Sequence, residues 1–324
     1  MSKETILLCG ANGQLGTVLS QVLAEKFGYD HVIASDIRAP EEELTRFELI
    51  DILNKSALDE IIKKHQVTQV YNLAAILSAS GEAKPLLSWE VNVKGYLNIL
   101  EACRINKVNK VFFPSSIAVF GSDAQKKKVP QHGPLNPETV YGIGKLAGEQ
   151  WSNYYHMRYG MDIRSVRYPG VIGYESMPGG GTTDYAVEIF HRALASNSYE
   201  CFLKEDSYLP MIYMRDTIDA TLQLMEAPAD SLEVRTSYNL SGTSFSPAEL
   251  AAEITKHLPD FKIKYNPDFR QKIADSWVDS IDDSAARKDW NWKPKFGLKE
   301  MVKDMIENLS QMPTNHLKKN KIIA

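Results

Sequence analysis

The chain has little cysteine, no long apolar run and no cluster of histidines. Its three cysteines, Cys9, Cys103 and Cys201, are odd in number and widely spread, which favours buried free thiols over a disulfide framework or a metal site. The seven histidines lack the spacing of metal ligands, so the sequence predicts no metal. No apolar run approaches the ~18 residues of a membrane-spanning helix, so a membrane is not an expected partner.

Positive charge is also scarce. Lysine and arginine total 37 against 41 aspartates and glutamates, a formal net charge of −4, and the main basic cluster is the lysine triplet 126–128. This balance argues against nucleic acid as a partner. Residues 1–3 lead directly into an apolar run, which leaves no room for a signal peptide. Together with the free thiols, this predicts a cytoplasmic location.

A glycine-rich turn stands between a strand pattern and a helix pattern near the amino terminus. Residues 5–9 form a short apolar run, Gly10, Gly13 and Gly16 follow, and the apolar residues of 17–25 recur at helical spacing. Glycines in such a turn let the backbone approach a pyrophosphate, whose charge rests on the amino terminus of the helix. The Gly-x-x-Gly-x-x-Gly spacing differs from the Gly-x-Gly-x-x-Gly fingerprint, and plain turn chemistry is the competing interpretation.

A second strand pattern, 31–36, ends in Asp36 at the distance where a dinucleotide-binding fold contacts the adenosine ribose. A carboxylate there accepts hydrogen bonds from both ribose hydroxyls and repels a 2′-phosphate, so it selects NAD over NADP. Arg38 is the opposing signal, because an arginine can pair with that phosphate. We rank Arg38 second because the acid stands at the strand end.

Further strand patterns complete an alternating α/β series. They span 46–52, 69–75, 110–116 and 162–169, with helical stretches between them. This alternation predicts a doubly wound parallel sheet of Rossmann type with helices on both faces. Two strand ends carry further candidate contacts to a dinucleotide: Asp51 and Ile52 at the adenine, and Leu73, Ala74 and Ala75 where the chain must pass close to the ligand.

Tyr141 and Lys145 stand four residues apart, which places a phenol and an ammonium on one helix face. A free tyrosine ionises near pH ~10, too high for a base at neutrality, and a neighbouring cation favours the phenolate. The pair alone is weak evidence, because tyrosines and lysines often share a helix face. The upstream glycine turn and Asp36 give it weight, so we predict that Lys145 lowers the pKa of Tyr141 and that Tyr141 acts as a base.

After the strand pattern at 162–169, the regular alternation of strand and helix patterns ends. We expect a glycine-rich polar stretch at 175–183 and a helix at 184–195. We then expect a strand at 208–216 that returns to the main sheet, and a helix at 217–226 that packs on it. The prediction is a Rossmann domain of 1–173 plus about 217–242 and a smaller, discontinuous α/β substrate domain of about 174–216 plus 243–312. Residues 313–324 are expected to form a flexible tail.

These motifs together resemble one known family, the extended short-chain dehydrogenases/reductases. The glycine turn, the acid, a serine pair and the tyrosine–lysine pair follow in that family's order, at Gly10, Asp36, Ser115, Ser116, Tyr141 and Lys145. Residues 290–294, Trp-Asn-Trp-Lys-Pro, are similar to the family's carboxy-terminal Gly-Trp-x-Pro element. The resemblance covers nearly the whole chain and implies an NAD-dependent enzyme.

The resemblance also implies roles for single residues. The family's catalytic hydroxyl stands 25 positions before the tyrosine, where this chain has Ser116, and Ser115 is then expected to bond backbone or cofactor. Asn92 resembles an asparagine that steadies the central helix. The expected cofactor-binding residues are Gly10, Asn12, Gly13, Gln14, Leu15, Asp36, Ile37, Arg38, Asp51, Ile52, Leu73, Ala74, Ala75, Asn92, Tyr141, Lys145, Tyr168 and Val171.

Three stretches resemble a branch of the family that oxidises L-threonine, a small zwitterionic amino acid; they are 77–82, 179–186 and 273–290. The branch implies that Ser80 and Thr183 bond the carboxylate or amine of threonine and that Trp277 closes over it. Ser116 and Tyr141 would bond its hydroxyl. Plainer interpretations stay open, with Ser80 as a loop serine, Thr183 near a helix N-cap and Trp277 as packing.

Two rival functions also stay open. Most extended members act on nucleotide sugars, and an epimerase or dehydratase would need basic groups for a diphosphate, for which Arg270 is the candidate. The other rival is a non-catalytic NAD-binding protein, which is expected to lack the tyrosine or the lysine.

The family resemblance further implies a homodimer. Family members commonly pair through two helices that form a four-helix bundle, and here these would lie near 88–106 and 141–159. Trp151, Tyr154 and Tyr155 on the second helix would serve a dimer face or the core.

Overall fold

The computed structural model describes residues 4–40, 45–175, 177, 179 and 181–312. The predicted tail at 313–324, and Gly180 of the glycine run, lie outside these residues. The strands are β1 Ile6–Cys9, β2 Val32–Asp36, β3 Arg46–Leu49, β4 Gln69–Asn72, β5 Lys110–Ser116, β6 Asp162–Tyr168, β7 Gly170–Ile172, β8 Ser198–Cys201, β9 Leu209–Tyr213, β10 Tyr238–Asn239, β11 Thr243–Phe245 and β12 Lys262–Tyr265.

The α-helices alternate with these strands in the amino-terminal half. They are α1 Gln14–Phe27, α2 Lys55–His65, α3 Ser78–Ala83, α4 Pro85–Trp89, α5 Tyr96–Ile105, α6 Val140–Tyr159, α7 Tyr185–Ser196, α8 Met214–Glu226, α9 Pro247–Thr255, α10 Phe269–Ser276, α11 Ser284–Trp290 and α12 Leu298–Gln311. A π-helical stretch, Glu90–Gly95, joins α4 to α5. The predicted helix near 88–106 is therefore interrupted by π-type geometry, which often marks functional sites.

Seven strands form one parallel sheet in the order β10-β6-β5-β4-β1-β2-β3. From β1 the chain adds strands first on one side (β2, β3) and then on the other (β4, β5, β6), so the strand order reverses between β1 and β4 and a crevice opens at their carboxyl ends. This arrangement confirms the Rossmann-type prediction.

Alternate residues of the central strands face two separate clusters, which is why these strands are apolar throughout. Ile6 and Leu8 pack with α1, α8 and α11 on one face. Leu7 and Cys9 pack with α2, α5 and α6 on the other. The sheet is thus covered on both sides, and its edge at the carboxyl ends is where side chains can meet a ligand.

Two small sheets stand apart from the main one, in the orders β11-β9-β7 and β12-β8. The prediction that residues 208–216 return to the main sheet is wrong, because β9 pairs with β7 and β11. The seventh place in the main sheet belongs to the two-residue strand β10. The following helix, α8, does pack on the main sheet, with Ile218 in the same cluster as Ile6.

A third cluster lies outside the main sheet and includes residues of α7, α9, α10 and α12. It corresponds to much of the predicted substrate domain. Part of 243–312 packs elsewhere, because Ala286, Trp290 and Trp292 join the cluster on the main sheet. The division into two domains stays a prediction.

The three cysteines are free and buried, which confirms the expectation for the thiols. Burial raises the pKa of the Cys9 thiol to about 11, so Cys9 is unreactive at neutrality. Within the described part of the chain, no helix combines the length and the hydropathy needed to cross a bilayer. No group of metal-ligating side chains occurs among the described residues either.

Candidate active site

The glycine turn closes tightly over the ends of β1 and β4. Gly10 has φ +85°, and a Cβ at this position would lie 2.5 Å from the backbone nitrogen of Ala74. A Cβ at Gly16 would lie 2.2 Å from the carbonyl oxygen of Gly10. Both positions therefore require glycine, so the turn is more than generic loop chemistry.

Helix α1 begins at Gln14, and its N-cap Gly13 offers no side-chain cap. The first turn carries no acidic residue. Its backbone amides point along the helix axis without intrahelical acceptors, a geometry that receives an anion.

Asp36 is held in place by two backbone amides. Its carboxylate accepts hydrogen bonds from Asn12 N at 3.1 Å and Ile37 N at 2.8 Å. The Asn12 side chain donates to Arg38 O at 2.7 Å, which ties the glycine turn to the end of β2. A carboxylate has about four acceptor positions, so two remain for ribose hydroxyls. Arg38 is exposed beside it and donates no side-chain hydrogen bond to Asp36 among those of the described residues.

The residues predicted to contact the adenine and the middle of the dinucleotide lie along the same edge of the sheet. Asp51 is exposed and accepts from Leu53 N at 2.9 Å, whereas the Ile52 side chain is buried. Asn98 fixes the Ile52 carbonyl at 3.1 Å. The residues after β4 that were expected to pass close to a dinucleotide, Leu73, Ala74 and Ala75, are half-buried beside the glycine turn. The glycine turn, the free backbone amides at the start of α1 and the Asp36 carboxylate together fit a dinucleotide.

Ser116, Tyr141 and Lys145 are brought together at the end of β5 and the start of α6. The Tyr141 phenol lies beside the Ser116 hydroxyl, whose hydrogen bonding acts to lower the pKa of the phenol. Lys145 is buried, donates to Pro114 O at 2.6 Å and lies 5.4 Å from the centre of the Tyr141 ring. The predicted catalytic residues therefore form one cluster.

Burial dominates the ionisation of this cluster. It raises the pKa of the Tyr141 phenol to about 12, and the hydrogen bond with Ser116 offsets only part of the rise. Burial also lowers the pKa of the Lys145 ammonium to about 7. The expected lowering of the Tyr141 pKa by Lys145 is thus not seen. Desolvation disfavours the phenolate more strongly than its neighbours stabilise it, and the buried Lys145 is itself only about half charged at neutrality.

Close packing sets the position of α6. Thr139 caps the helix by accepting from Gly142 N at 3.0 Å. A Cβ at Gly142 would lie 2.0 Å from Ala118 O, and one at Gly148 would lie 2.2 Å from the Phe113 ring. These glycines let α6 lie directly on β5, which brings Tyr141 to Ser116.

Thr183 lies against the strand that continues from β6. A Cβ at Gly170 would lie 2.8 Å from the Thr183 Cβ, so the Thr183 side chain packs directly against the backbone of Gly170. Its neighbour Thr182 is buried and bonds Ser78 of α3, with the two hydroxyl oxygens 3.2 Å apart. Ser80 of the same helix is exposed. The structure therefore joins the stretches around Ser80 and Thr183, as the sequence comparison implied.

Trp277 is not part of this cluster in the structure. It ends α10, is buried against the third core cluster and lines a cavity of about 530 Å³ with Lys126, Asp206 and Tyr208. The described lining of that cavity does not include Tyr141.

The other predicted cofactor residues are engaged with the protein. The Asn92 side chain accepts from Ile76 N at 2.8 Å and donates to Ile76 O at 2.9 Å, so it fixes the backbone after β4. The Tyr168 hydroxyl bonds Thr221, and Val171 is half-buried in β7. Contact of these residues with a cofactor stays a prediction.

Two groups of residues were missed by sequence reasoning. Glu82 Oε1 accepts from Val140 N at 2.8 Å, so α3 is fixed to the start of the catalytic helix. Ser115 was expected to bond backbone or cofactor, but its hydroxyl instead donates to the Glu149 carboxylate at 2.6 Å, because that buried acid lies beside it on α6. Glu149, which sequence reasoning missed, is paired with Arg167. Glu149 stands four residues after Lys145, so the spacing that revealed the tyrosine–lysine pair was also the available signal here.

Arg270, the candidate for a sugar diphosphate, is occupied elsewhere. Its guanidinium binds Asp268 at 2.6 Å and lies 3.2 Å from the centre of the Phe202 ring. A diphosphate would have to displace this ion pair.

Comparison with known proteins agrees with this geometry. Residues 6–241 match the NAD dependent epimerase/dehydratase family. The mitochondrial L-threonine 3-dehydrogenase of Bos taurus is 46% identical over 308 residues, which cover 94% of this chain and 82% of the relative.

Solved structures are similar over the same length. A GalE-like L-threonine dehydrogenase from Cupriavidus necator, in its holo form, is 51% identical with a TM-score of 0.93, covering 94% of this chain and 99% of that one. A monomeric L-threonine 3-dehydrogenase from a metagenome is 49% identical with a TM-score of 0.92, covering 94% and 98%. From its fold, its glycine cradle and these matches, the chain belongs to the NAD-dependent epimerase/dehydratase family.

Proposed function

We propose that the protein oxidises the C3 hydroxyl of L-threonine to 2-amino-3-ketobutyrate with NAD as its cofactor. The observation that carries the proposal is the cluster in which Ser116 and Tyr141 lie side by side, with the buried Lys145 5.4 Å from the centre of the Tyr141 ring and bonded to Pro114 O. The choice of substrate is supported by the relatives, which are named L-threonine dehydrogenases at 46% to 51% identity.

The protein's own groups bind, orient and deprotonate the substrate. Ser116 bonds the reacting hydroxyl and keeps it within reach of Tyr141. Tyr141, as phenolate, takes the hydroxyl proton, and Lys145 in its charged form stabilises that phenolate. When bound, NAD supplies the acceptor for the hydride that leaves C3. The glycine turn, α1 and Asp36 hold the dinucleotide in a fixed position relative to the substrate, which makes the reaction between them effectively unimolecular.

Ser80 and Thr183 are proposed to bond the amine or carboxylate of threonine. Their support is the link of α3 to the 181–184 segment through Ser78 and Thr182. Trp277 closes over the substrate only if α10 moves toward the catalytic cluster, because its side chain now lines a different cavity.

A nucleotide-sugar epimerase is the second candidate, favoured by the family to which the chain belongs. The deciding experiment is a turnover assay with NAD and L-threonine, run beside thermal melts with NAD plus threonine or a UDP-sugar. We expect NAD reduction with threonine and little stabilisation by the UDP-sugar. Stabilisation by the UDP-sugar without NAD reduction by threonine would reverse the assignment.

The assembly is proposed to be a homodimer that pairs through α5 and α6. Tyr155 belongs to the core, but Trp151, Tyr154 and Met157 on α6 are 39%, 44% and 69% exposed. An apolar face of this kind typically marks an interface. Because one similar protein is named monomeric, sedimentation of the parent and a Met157→Glu variant is the test. A monomeric parent would reject the dimer.

A cytoplasmic location is the last part of the proposal. Three free, buried thiols suit a reducing compartment. Fluorescence microscopy of the tagged protein in its own cell would test it, and a signal confined to another compartment would reject it.

A further inference from the structure

A sealed polar network lies directly behind the catalytic cluster. Glu149 is 0% exposed and Arg167 2%, and they share two hydrogen bonds, 2.9 Å from Arg167 Nε and 2.8 Å from Nη2. The Ser115 hydroxyl donates to the same carboxylate at 2.6 Å. Arg167 Nη1 completes the network by donating to Asn239 Oδ1 at 3.0 Å and Gln131 O at 3.1 Å.

Such a pair is costly to bury. Removing two charges from water is repaid only where the geometry is excellent, and apolar side chains of similar volume often stabilise a core as well or better. Stability alone therefore gives little reason for a carboxylate and a guanidinium at this place. Their two-bond geometry, in contrast, fixes the relative position of the helix and the strand that carry them.

Three members of the network are adjacent to predicted catalytic or cofactor-binding residues. Ser115 precedes Ser116 on β5, and Arg167 precedes Tyr168, a predicted cofactor-binding residue, on β6. Glu149 follows Lys145 by one helical turn on α6, and Lys145 in turn donates to Pro114 O at 2.6 Å. The helix is thus bonded to the end of β5 at two successive turns.

We propose that Glu149 is a positioning residue, which through Arg167 and Ser115 fixes α6 against the ends of β5 and β6 and so sets the contact between Ser116 and Tyr141. The inference rests on the proposed function for the roles of these hydroxyls. Loss of the network lets α6 shift and lets water reach Lys145. A misplacement of about 1 Å at reacting groups lowers a rate by ~10²-fold.

The test is the charge-neutral double variant Glu149→Gln/Arg167→Met, which leaves no unpaired charge behind. We expect kcat to fall by about 10- to 100-fold, with the threonine KM and the NAD affinity changed by less than about threefold. The matched control is Asp162→Asn/Arg164→Met, because Arg164 is also buried and paired on β6 but stands at the other end of the strand. The control should lose stability without losing kcat.

A second readout needs no substrate. With carbon-13 in the lysine side chains and Lys145→Met to assign the signal, NMR follows the titration of Lys145, whose pKa burial holds near 7. Entry of water should raise this pKa by more than about one unit in the Glu149/Arg167 variant and leave it unchanged in the control.

The two readouts separate failure of the inference from failure of the proposed function. If the parent does not oxidise threonine, the proposed function fails, and the Lys145 titration still decides the positioning role. An unchanged kcat together with an unchanged Lys145 titration, or equal changes in the control, would overturn the inference. Should the double variant not fold, Arg167→Lys, which keeps the charge, is expected to give smaller changes in the same direction.

Discussion

The chemistry of the site depends on two residues, Tyr141 and Lys145, whose pKa values burial moves away from their usual range. Tyr141 loses its proton less readily than in water, with a pKa of about 12, and Lys145 loses its proton more readily, with a pKa of about 7. On raising the pH, Lys145 therefore loses its proton well before Tyr141 does. A protein that must place a phenolate there depends on the Ser116 hydroxyl and on whatever charge Lys145 keeps.

Tyr141→Phe is expected to lower turnover by ~10²–10⁴-fold, because the ring stays and only the proton acceptor is lost. Affinity for NAD should change little. Steady-state rates and equilibrium binding of NAD by the same preparation check this. Retention of more than about a tenth of the activity would mean that another group is the base.

Lys145 should make the stability of the free protein depend on pH. Its pKa is about 7 when folded and ~10.4 when unfolded, so the unfolded chain binds more protons between these values. The free energy of unfolding therefore rises with pH from about 7 to 10. Below pH ~7 the folded protein carries the whole cost of burying a charged lysine.

Lys145→Met lacks this dependence. The parent should gain on the order of 1–4 kcal/mol relative to the variant between pH ~7 and ~10, as measured by urea unfolding without NAD. The exposed Lys63→Met is the control and should track the parent. Parallel curves for parent and Lys145→Met would contradict a buried, deprotonated lysine.

Asp36→Ala should weaken NAD and relax discrimination against NADP, since the carboxylate both bonds the ribose and repels a 2′-phosphate. Asp30→Ala, an exposed acid near the same strand, is the control. Kd values for NAD and NADP check the ratio. An unchanged ratio for Asp36→Ala would place the ribose elsewhere and would favour Arg38.

At the scale of the element, the sequence predicted strand and helix identity well and strand partners less well. The parallel sheet followed from apolar runs that end in functional residues, as in β2 with Asp36. Strand β9 shows the limit, because its apolar pattern is the same whether it joins the main sheet or pairs with β7 and β11.

The site shows the same division: some of its residues can be predicted from local sequence patterns, and others come together only in the folded protein. Tyr141 and Lys145 were predicted from their spacing on one helix face, and Ser116 was predicted from the family resemblance. Glu149 and Arg167 were missed, because isolated charged residues in a sequence usually face water, and only the packed structure pairs them without solvent.

Helix α3 is the element that joins the catalytic helix to the segment at 181–184. Ser78→Ala removes the bond to Thr182 and should raise the threonine KM about 5- to 20-fold, equivalent to ~1–2 kcal/mol. NAD affinity should stay the same. Ser56→Ala, which removes an exposed hydroxyl bond to Asn54, should leave KM unchanged. If Ser78→Ala behaved like Ser56→Ala, α3 would not shape the substrate pocket.

At the scale of the whole molecule, the substrate pocket requires parts of the chain that fold around different cores. Thr183 already lies against β7, whereas Trp277 faces a separate cavity. Threonine binding is therefore expected to draw α10 toward the catalytic cluster.

Thr183→Ala and Trp277→Ala should each lower kcat/KM for threonine by about one to two decades, a cost of ~1–3 kcal/mol, with NAD affinity little altered. Steady-state kinetics over a threonine series measure both effects. Loss confined to Thr183→Ala would leave Trp277 in the core, in agreement with its present position.

The claim that hydride leaves C3 of threonine while Tyr141 takes the hydroxyl proton is tested most directly with threonine that carries deuterium at C3. Mass spectrometry of the reduced cofactor should find one deuterium for each turnover by the parent and slower turnover than with ordinary threonine. In Tyr141→Phe the transfer should be slower by the same ~10²–10⁴-fold as turnover. Deuterium that stayed in the amino acid, or that was lost to water while NAD was reduced, would contradict the mechanism.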